Sequence, residues 1–281
     1  SLQSGYTAVQ SEIGNLFLVL LIQRAVTLLR RARDLLLGEV GIILAVGIGT
    51  PLLARQLSLS EFGNYAFVLS AFGVANVLVS SGIHDSFRQR ISTATDTEER
   101  AVEFVNLFFT AQFVALLGAV GLVGMAWFTP DLALPLVLTA ILLVMRSAFD
   151  AIRSAEMACE YELANSSLRT GRRVTMYAVA VLAASLGFGV SGIYASFSVA
   201  TAVFVGLGCV DISRKLSLWE NLTWPSVPVR DVLVQTAPIY IHTISAGLMW
   251  HFDILLIKEL VDSTAAGYYK SALTISQFLW Q

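Results

Sequence analysis

Long apolar runs separated by short polar breaks dominate this chain, and their lengths set the first expectation. A membrane-crossing helix needs roughly 17–25 predominantly apolar residues. Runs of that kind fall at about 36–54, 64–83, 104–128 and 132–149. The apolar stretch 174–210 is too long for one crossing. Gly187, Gly189 and Gly192 within it offer a reversal, which predicts a fifth and a sixth. A seventh follows at 232–257, and an eighth opens near Gly267. Residues 13–37 read differently: the apolar part at 16–22 is short, and Arg24, Arg30, Arg31 and Arg33 follow it closely. That pattern predicts a helix lying in the interface with its basic face to the headgroups.

Composition agrees. The 281 residues are 56% hydrophobic and 14% charged, with mean hydropathy +0.71. A soluble domain is nearer 45–50% apolar and about 25% charged. The expected fold class is therefore an all-α polytopic membrane protein. A net charge of −2 gives no reason to expect nucleic acid as a partner. Cys159 and Cys209 stand far apart with no CxxC, so neither a metal site nor a disulfide framework is expected. The sequence begins at Ser1 and stops at Gln281 inside an apolar run, which suggests a piece of a longer protein.

The basic residues orient the helices. Of the 18 Lys and Arg, all but Arg55, Lys258 and Lys270 fall on one side of this map. The positive-inside rule makes that side, with the N-terminus, cytoplasmic in a multi-pass cell membrane protein. The long connections, at 85–103, 150–173 and 211–231, then lie in the cytoplasm. Sequons at Asn165 and Asn221 fall on the same side and read as chance matches. The expected organisation is an N-terminal interfacial segment at 1–35, six helices over 36–210, and an amphipathic linker at 211–231. That linker carries Trp219, Trp224, Pro225 and Pro228, and a second unit starts at 232–281.

One stretch occurs twice. LLARQLSLSEFGNY at 52–65 is matched by LLIKELVDSTAAGYY at 255–269. Leu52-Leu53 falls on Leu255-Leu256, Arg55 on Lys258, Gln56 on Glu259 and Leu57 on Leu260. After a one-residue gap, Gly63 falls on Gly267 and Tyr65 on Tyr269. Self-similarity at a fixed offset signals internal duplication, which in membranes is the mark of transporters built from repeats. Six crossings separate the copies, so both keep one orientation, and the repeats relate by an axis along the membrane normal. Arg55 and Lys258 are expected in a structural role at one closure, and Gly63 and Gly267 to serve the turn.

These two hairpins resemble those of the polysaccharide flippase family of the multidrug/oligosaccharidyl-lipid/polysaccharide exporters, relatives of the Wzx-type O-antigen flippases. The first hairpin carries the resemblance from Leu52 through Arg55 to Leu57, and again at Glu61-Phe62-Gly63-Asn64-Tyr65. The second carries it at Asp253-Ile254-Leu255-Leu256-Ile257, then Ala266-Gly267-Tyr268-Tyr269 and Ala272. The resemblance implies two six-helix lobes around a central cavity. It also implies movement of a polyprenyl-linked oligosaccharide across the bilayer for surface polysaccharides such as the O-antigen of lipopolysaccharide. A polysaccharide polymerase is a further partner to test.

Ionisable and polar groups inside a span are costly, so each is a functional candidate. His242, Trp250, His251 and Asp253 are candidates to line a cavity, with Asp253 as cation or sugar ligand and His251 as proton sensor. Asp253 reads equally well as an interhelical cap. Arg146 and Asp150 stand four apart on one helix face and read as a gate, a pyrophosphate contact or a snorkelling pair. Glu39 faces either the cavity or the headgroups. Asn76 and Gln112 are expected to make interhelical hydrogen bonds or to meet sugar hydroxyls. No catalytic residue and no cofactor is expected, and coupling to an H⁺ or Na⁺ gradient is left open.

The function expected is an alternating-access flippase rather than an enzyme. A lipid II flippase or a multidrug/cation antiporter is the near alternative, and a membrane polysaccharide polymerase or ligase the distant one. A scaffold without transport fits the intramembrane Asp253 and the repeat less well.

Overall fold

The computed structural model describes residues 38–80, 82–220 and 229–280. The side chains of Glu162, Ile241, His242, Ala246, Trp250 and residues 229–239 and 277–280 are outside that description. The expected interfacial segment at 1–35 and the Trp224-Pro225 part of the linker lie outside the described residues.

Among the described residues every regular element is helical. They are α1 (Gly38–Gln56), α2 (Leu59–Ser80), α3 (Ile83–Thr93), α4 (Thr97–Phe128), a 3-10 turn at Pro130–Leu132, α5 (Ala133–Ala158), α6 (Glu162–Ser185), α7 (Gly189–Lys215), α8 (Val229–Leu260) and α9 (Ser263–Trp280). This is an all-α polytopic membrane protein. Among the described residues five stretches, Gly38–Gln56, Leu59–Thr93, Thr97–Phe128, Pro130–Ala158 and Gly189–Lys215, are long and apolar enough to cross a bilayer. The other three expected crossings, at α6, α8 and α9, are helices too. Arg169, Arg172 and Arg173 interrupt α6, His251 and Asp253 sit in α8, and Lys270 sits in α9.

Helix starts follow from local chemistry. The sequence places the start of the second crossing at residue 64, but α2 begins at Leu59. The reason is a capping box. Glu61 N donates to Ser58 Oγ at 3.2 Å, and the Glu61 carboxylate accepts from Ser58 N at 2.9 Å. The repeat reproduces the device in part, since Ala265 N donates to Asp262 Oδ1 at 2.6 Å. At α4, Asp96 caps the helix by accepting from Glu99 N at 2.8 Å. Gly187 and Gly189 form the reversal between α6 and α7.

The long amphipathic connection expected at 150–173 is helix almost throughout. α5 runs to Ala158 and α6 starts at Glu162, so Arg146, Asp150, Arg153 and Arg169 all stand on helices. The charges do not end these helices: Asp150 takes Arg146 and Arg153 on α5 itself, Arg153 also donates to Asn165 on α6, and Arg169 pairs with Glu39 on α1. The connection at 85–103 is likewise mostly helix, supplied by α3 and the start of α4.

Two cores hold the bundle. The larger, with Leu53, Phe67, Leu136, Leu143, Tyr194 and Phe197, joins α1, α2, α5 and α7. The smaller gathers Phe87, Ile91, Leu107, Ile152 and Ile212 around α3 at the opposite end from the α1–α2 turn. Large apolar side chains on α4, from Phe109 and Phe113 to Trp127 and Phe128, remain exposed. A hydrocarbon surround accounts for such a surface. The end with the α1–α2 and α8–α9 turns is called here the hairpin end, and the other the arginine end.

Candidate functional site

The first candidate region is the seam between α2 and the α8–α9 pair. Contact begins at the hairpin end, where the two repeat-related glycines face each other. A side chain on Gly63 would collide with the Ser263 carbonyl, and one on Gly267 with the Leu59 carbonyl. The repeat pairs Leu59 with Ser263 just as it pairs Gly63 with Gly267, so the contact is reciprocal, like a two-fold interface. These glycines do not serve the turn, as the sequence suggests. Neither has a positive φ, and both lie inside helices, where a missing Cβ lets two backbones meet. Beside them Ser263 Oγ lies 2.8 Å from Asn64 Oδ1.

Further along the seam, Lys258 Nζ sits 3.9 Å from the Phe67 ring centroid. The His251 imidazole occupies the space a side chain on Gly73 would need, and Val77 fills the corresponding space at Gly247. Tyr240 donates its hydroxyl to the Leu78 carbonyl at the foot of α2. Gly63, Phe67, Gly73 and Val77 recur at helical spacing, so one face of α2 carries the whole contact.

The second region lies at the arginine end, where α2 gives way to α3. Gly82, at φ 76°, makes that break and leaves the first turn of α3 without a side-chain cap. His84 follows on α3, with both ring nitrogens buried and unpartnered. Its nearest charged neighbours include Asp150 and Arg146 on α5. Asp150 accepts from Arg146 Nε at 2.7 Å, and Arg153 Nη1 approaches its other oxygen at 3.4 Å. Arg153 Nε also donates to Asn165 Oδ1 at 2.9 Å. Arg172 is only 2% exposed. It stacks on Phe149 at 4.6 Å and donates to Met176 Sδ at 3.1 Å, while its Nε has no partner.

A family model described as "Polysaccharide biosynthesis protein" matches residues 34–280. The chain belongs to that family. No curated protein and no solved structure matches it. In this polysaccharide biosynthesis protein, the residues expected from sequence divide between the two regions. His251, Lys258 and Gly267 stand on the seam, with Gly63 opposite and Tyr65 nearby on α2. Tyr269 donates to Asp253 Oδ2 at 2.9 Å, so Asp253 bridges α8 and α9. Arg55 is exposed at the hairpin end. The side chains of His242 and Trp250 lie outside the described residues.

Arg146 and Asp150 belong to the arginine-end cluster, at 18% and 13% side-chain exposure, midway along α5 rather than at its tip. Glu39 pairs with Arg169 and binds α1 to α6, with Nη2 to Oε2 at 2.9 Å. Gln112, its amide oriented to satisfy both neighbours, donates to the Val144 carbonyl at 3.2 Å and accepts from Ala148 N at 2.9 Å. Asn76 is half-buried in α2. Beside Glu39 and Arg169, an apolar hollow of about 440 Å³ between α1 and α6 is lined by Leu44, Ile48, Val174 and Val181.

Sequence reasoning did not single out His84, Arg153 or Arg172. In the sequence Arg153, Arg169, Arg172 and Arg173 read as charges of a connection. Their three- and four-residue spacing, RxxRR and DxxR, is the helical signal that could have placed them on facing helices.

Proposed function

We propose that this protein is a flippase for lipid-linked oligosaccharide in the synthesis of surface polysaccharide, working by the rocking of two repeat-related helical lobes. The observation that carries the reading is the reciprocal crossing at Gly63 and Gly267. Two copies of one hairpin meet backbone to backbone at one end of the bundle, as expected where repeated lobes close on each other. The family description supports a role in polysaccharide synthesis, and a seam that carries Tyr240, His251 and Lys258 suits a headgroup path better than a passive anchor does. By the positive-inside rule the arginine end is cytoplasmic. The crossing then closes the outer face, and the substrate enters from inside the cell membrane. Transport, rather than catalysis, is the activity.

The test is a reversible cross-link. Asn64→Cys and Ser263→Cys, in a background without Cys159 and Cys209, place two thiols where the Ser263 hydroxyl meets the Asn64 amide. In proteoliposomes loaded with a short-chain polyprenyl-diphosphate sugar, oxidation is expected to cut flipping below a tenth of the reduced rate. Each single variant should be insensitive to oxidant. Undiminished flipping by fully cross-linked protein would overturn the rocking mechanism.

A further inference from the structure

The hollow between α1 and α6 has a length and a mouth that together describe one ligand. Its lining begins at Gly41, just after Glu39, and runs to Leu52, a rise of about 16 Å along α1. Half of a hydrocarbon core of roughly 30 Å is about 15 Å, so the slot is as long as one leaflet is deep. Small residues leave the room. Gly41, Ala45 and Ala178 line the slot beside Leu44, Ile48 and Val174, whose side chains are exposed. None of the lining residues is charged.

The mouth is of another kind. Glu39 and Arg169 pair there with 46% and 33% of their side chains exposed. Part of the guanidinium donor set goes to Glu39, and the remaining donors and the outer lone pairs of the carboxylate have no partner among the described residues. The next cation inward, Arg153, is taken up by Asp150 and Asn165. The mouth therefore presents one positive and one negative group side by side, without excess charge of either sign.

We propose that the α1–α6 slot and the Glu39–Arg169 pair at its mouth form a single site for a membrane phospholipid with a primary-amine headgroup, of the phosphatidylethanolamine type. The headgroup phosphate accepts from Arg169, and the ammonium donates to Glu39. One acyl chain lies in the slot, in the leaflet at the arginine end. A choline headgroup has no N–H to give to Glu39, and a glycerol headgroup sets an unbalanced anion against it. The long tail of a polyprenyl carrier would overrun a slot of one-leaflet length. The gain to the protein is packing. α1 is the least covered of the five apolar crossings, and a chain in the slot restores close contacts that a void along α1 forfeits. The site requires a bilayer around the helices and does not rest on the flippase reading.

The experiment counts lipids on the purified protein by native mass spectrometry, after titration in detergent with phospholipids that all carry dioleoyl chains. One phosphatidylethanolamine should be retained at least threefold more strongly than phosphatidylcholine or phosphatidylglycerol. Glu39→Gln should remove that preference, because the amide lacks the charge that meets the ammonium. Ala178→Phe should fill the slot and lower the occupancy of all three lipids. Both substitutions fall on partly or fully exposed side chains, and a melting curve for each verifies folding.

Equal retention of the three headgroups, an unchanged preference in Glu39→Gln, or full occupancy in folded Ala178→Phe each overturns the site. Displacement of phosphatidylethanolamine by an equal concentration of undecaprenyl phosphate overturns it as well, and gives the slot to an isoprenoid tail.

Discussion

Lys258 of α8 rests 3.9 Å above the ring of Phe67 on α2, so a cation from one copy of the repeat lies on an aromatic face in the helix that opens the other. Its side chain is 14% exposed, and Glu259 is 3.7 Å away. Arg55, its counterpart in the repeat, is exposed instead. The duplicated cation is therefore used once, at the seam.

A part-desolvated cation over an aromatic ring is worth on the order of 1 kcal/mol. A double-mutant cycle with Lys258→Met and Phe67→Leu, read by thermal unfolding in detergent, should give a coupling of about 1 kcal/mol. A coupling near zero would mean that the ring and the ammonium are only neighbours.

The glycines provide a contrast within one fold. Gly63→Ala and Gly267→Ala push a methyl into a facing carbonyl, so each should cost about 1–3 kcal/mol of overpacking. Gly121 and Gly206 have nothing within 4 Å of an added Cβ. Alanine there should be neutral or stabilise by up to about 1 kcal/mol through helix propensity. The four melting temperatures, measured side by side, test the crossing.

Asp150 and Glu39 differ in burial, and their losses should differ too. Replacing Asp150 by Ala leaves Arg146 and Arg153 without their carboxylate in a mostly buried place, which should cost about 3 kcal/mol. Glu39→Gln removes one partner of a pair exposed at 46% and 33%, and should cost no more than about 1 kcal/mol. Equal losses, in either direction, would contradict this ranking of the two pairs.

Glu156 gives a prediction of the opposite sign. It is fully buried, and neither carboxylate oxygen has a hydrogen-bond partner. Nearby charges on α7, Lys215 and Asp211, are paired with each other. Glu156→Met replaces an unsatisfied polar group with an apolar one of similar length and should raise stability by about 1–2 kcal/mol. A lower melting temperature would show that the carboxylate has a use in the folded state.

The helices were largely legible from sequence because bilayer thickness imposes a length and a composition that few other contexts produce. The repeat was legible for a related reason, since Gly63 and Gly267 have the same task and so sit in the same surroundings. The amphipathic connection expected at 150–173 is helix on both sides of a short turn, because its charges are placed on α5 and α6 rather than between them. Arg153 lies within α5, where its guanidinium reaches Asp150 one turn back on the same helix and Asn165 on α6, and the second contact is set by how α5 lies on α6. His84 escaped notice because one polar residue after an apolar run marks a boundary as readily as a site. Its distinction is a buried ring without partners, a property of packing that no spacing rule records.

The crossing of α2 and α9 is held by shape more than by bonds. At its centre are two missing methyl groups, and beside it is a single hydroxyl-to-amide contact between Ser263 and Asn64. A neutral hydrogen bond of that kind contributes about 1 kcal/mol net, and no ion pair joins the two helices at this point among the described residues. A latch so lightly fastened can part and re-form many times on thermal energy alone, while the close fit of the two backbones brings it back to the same position.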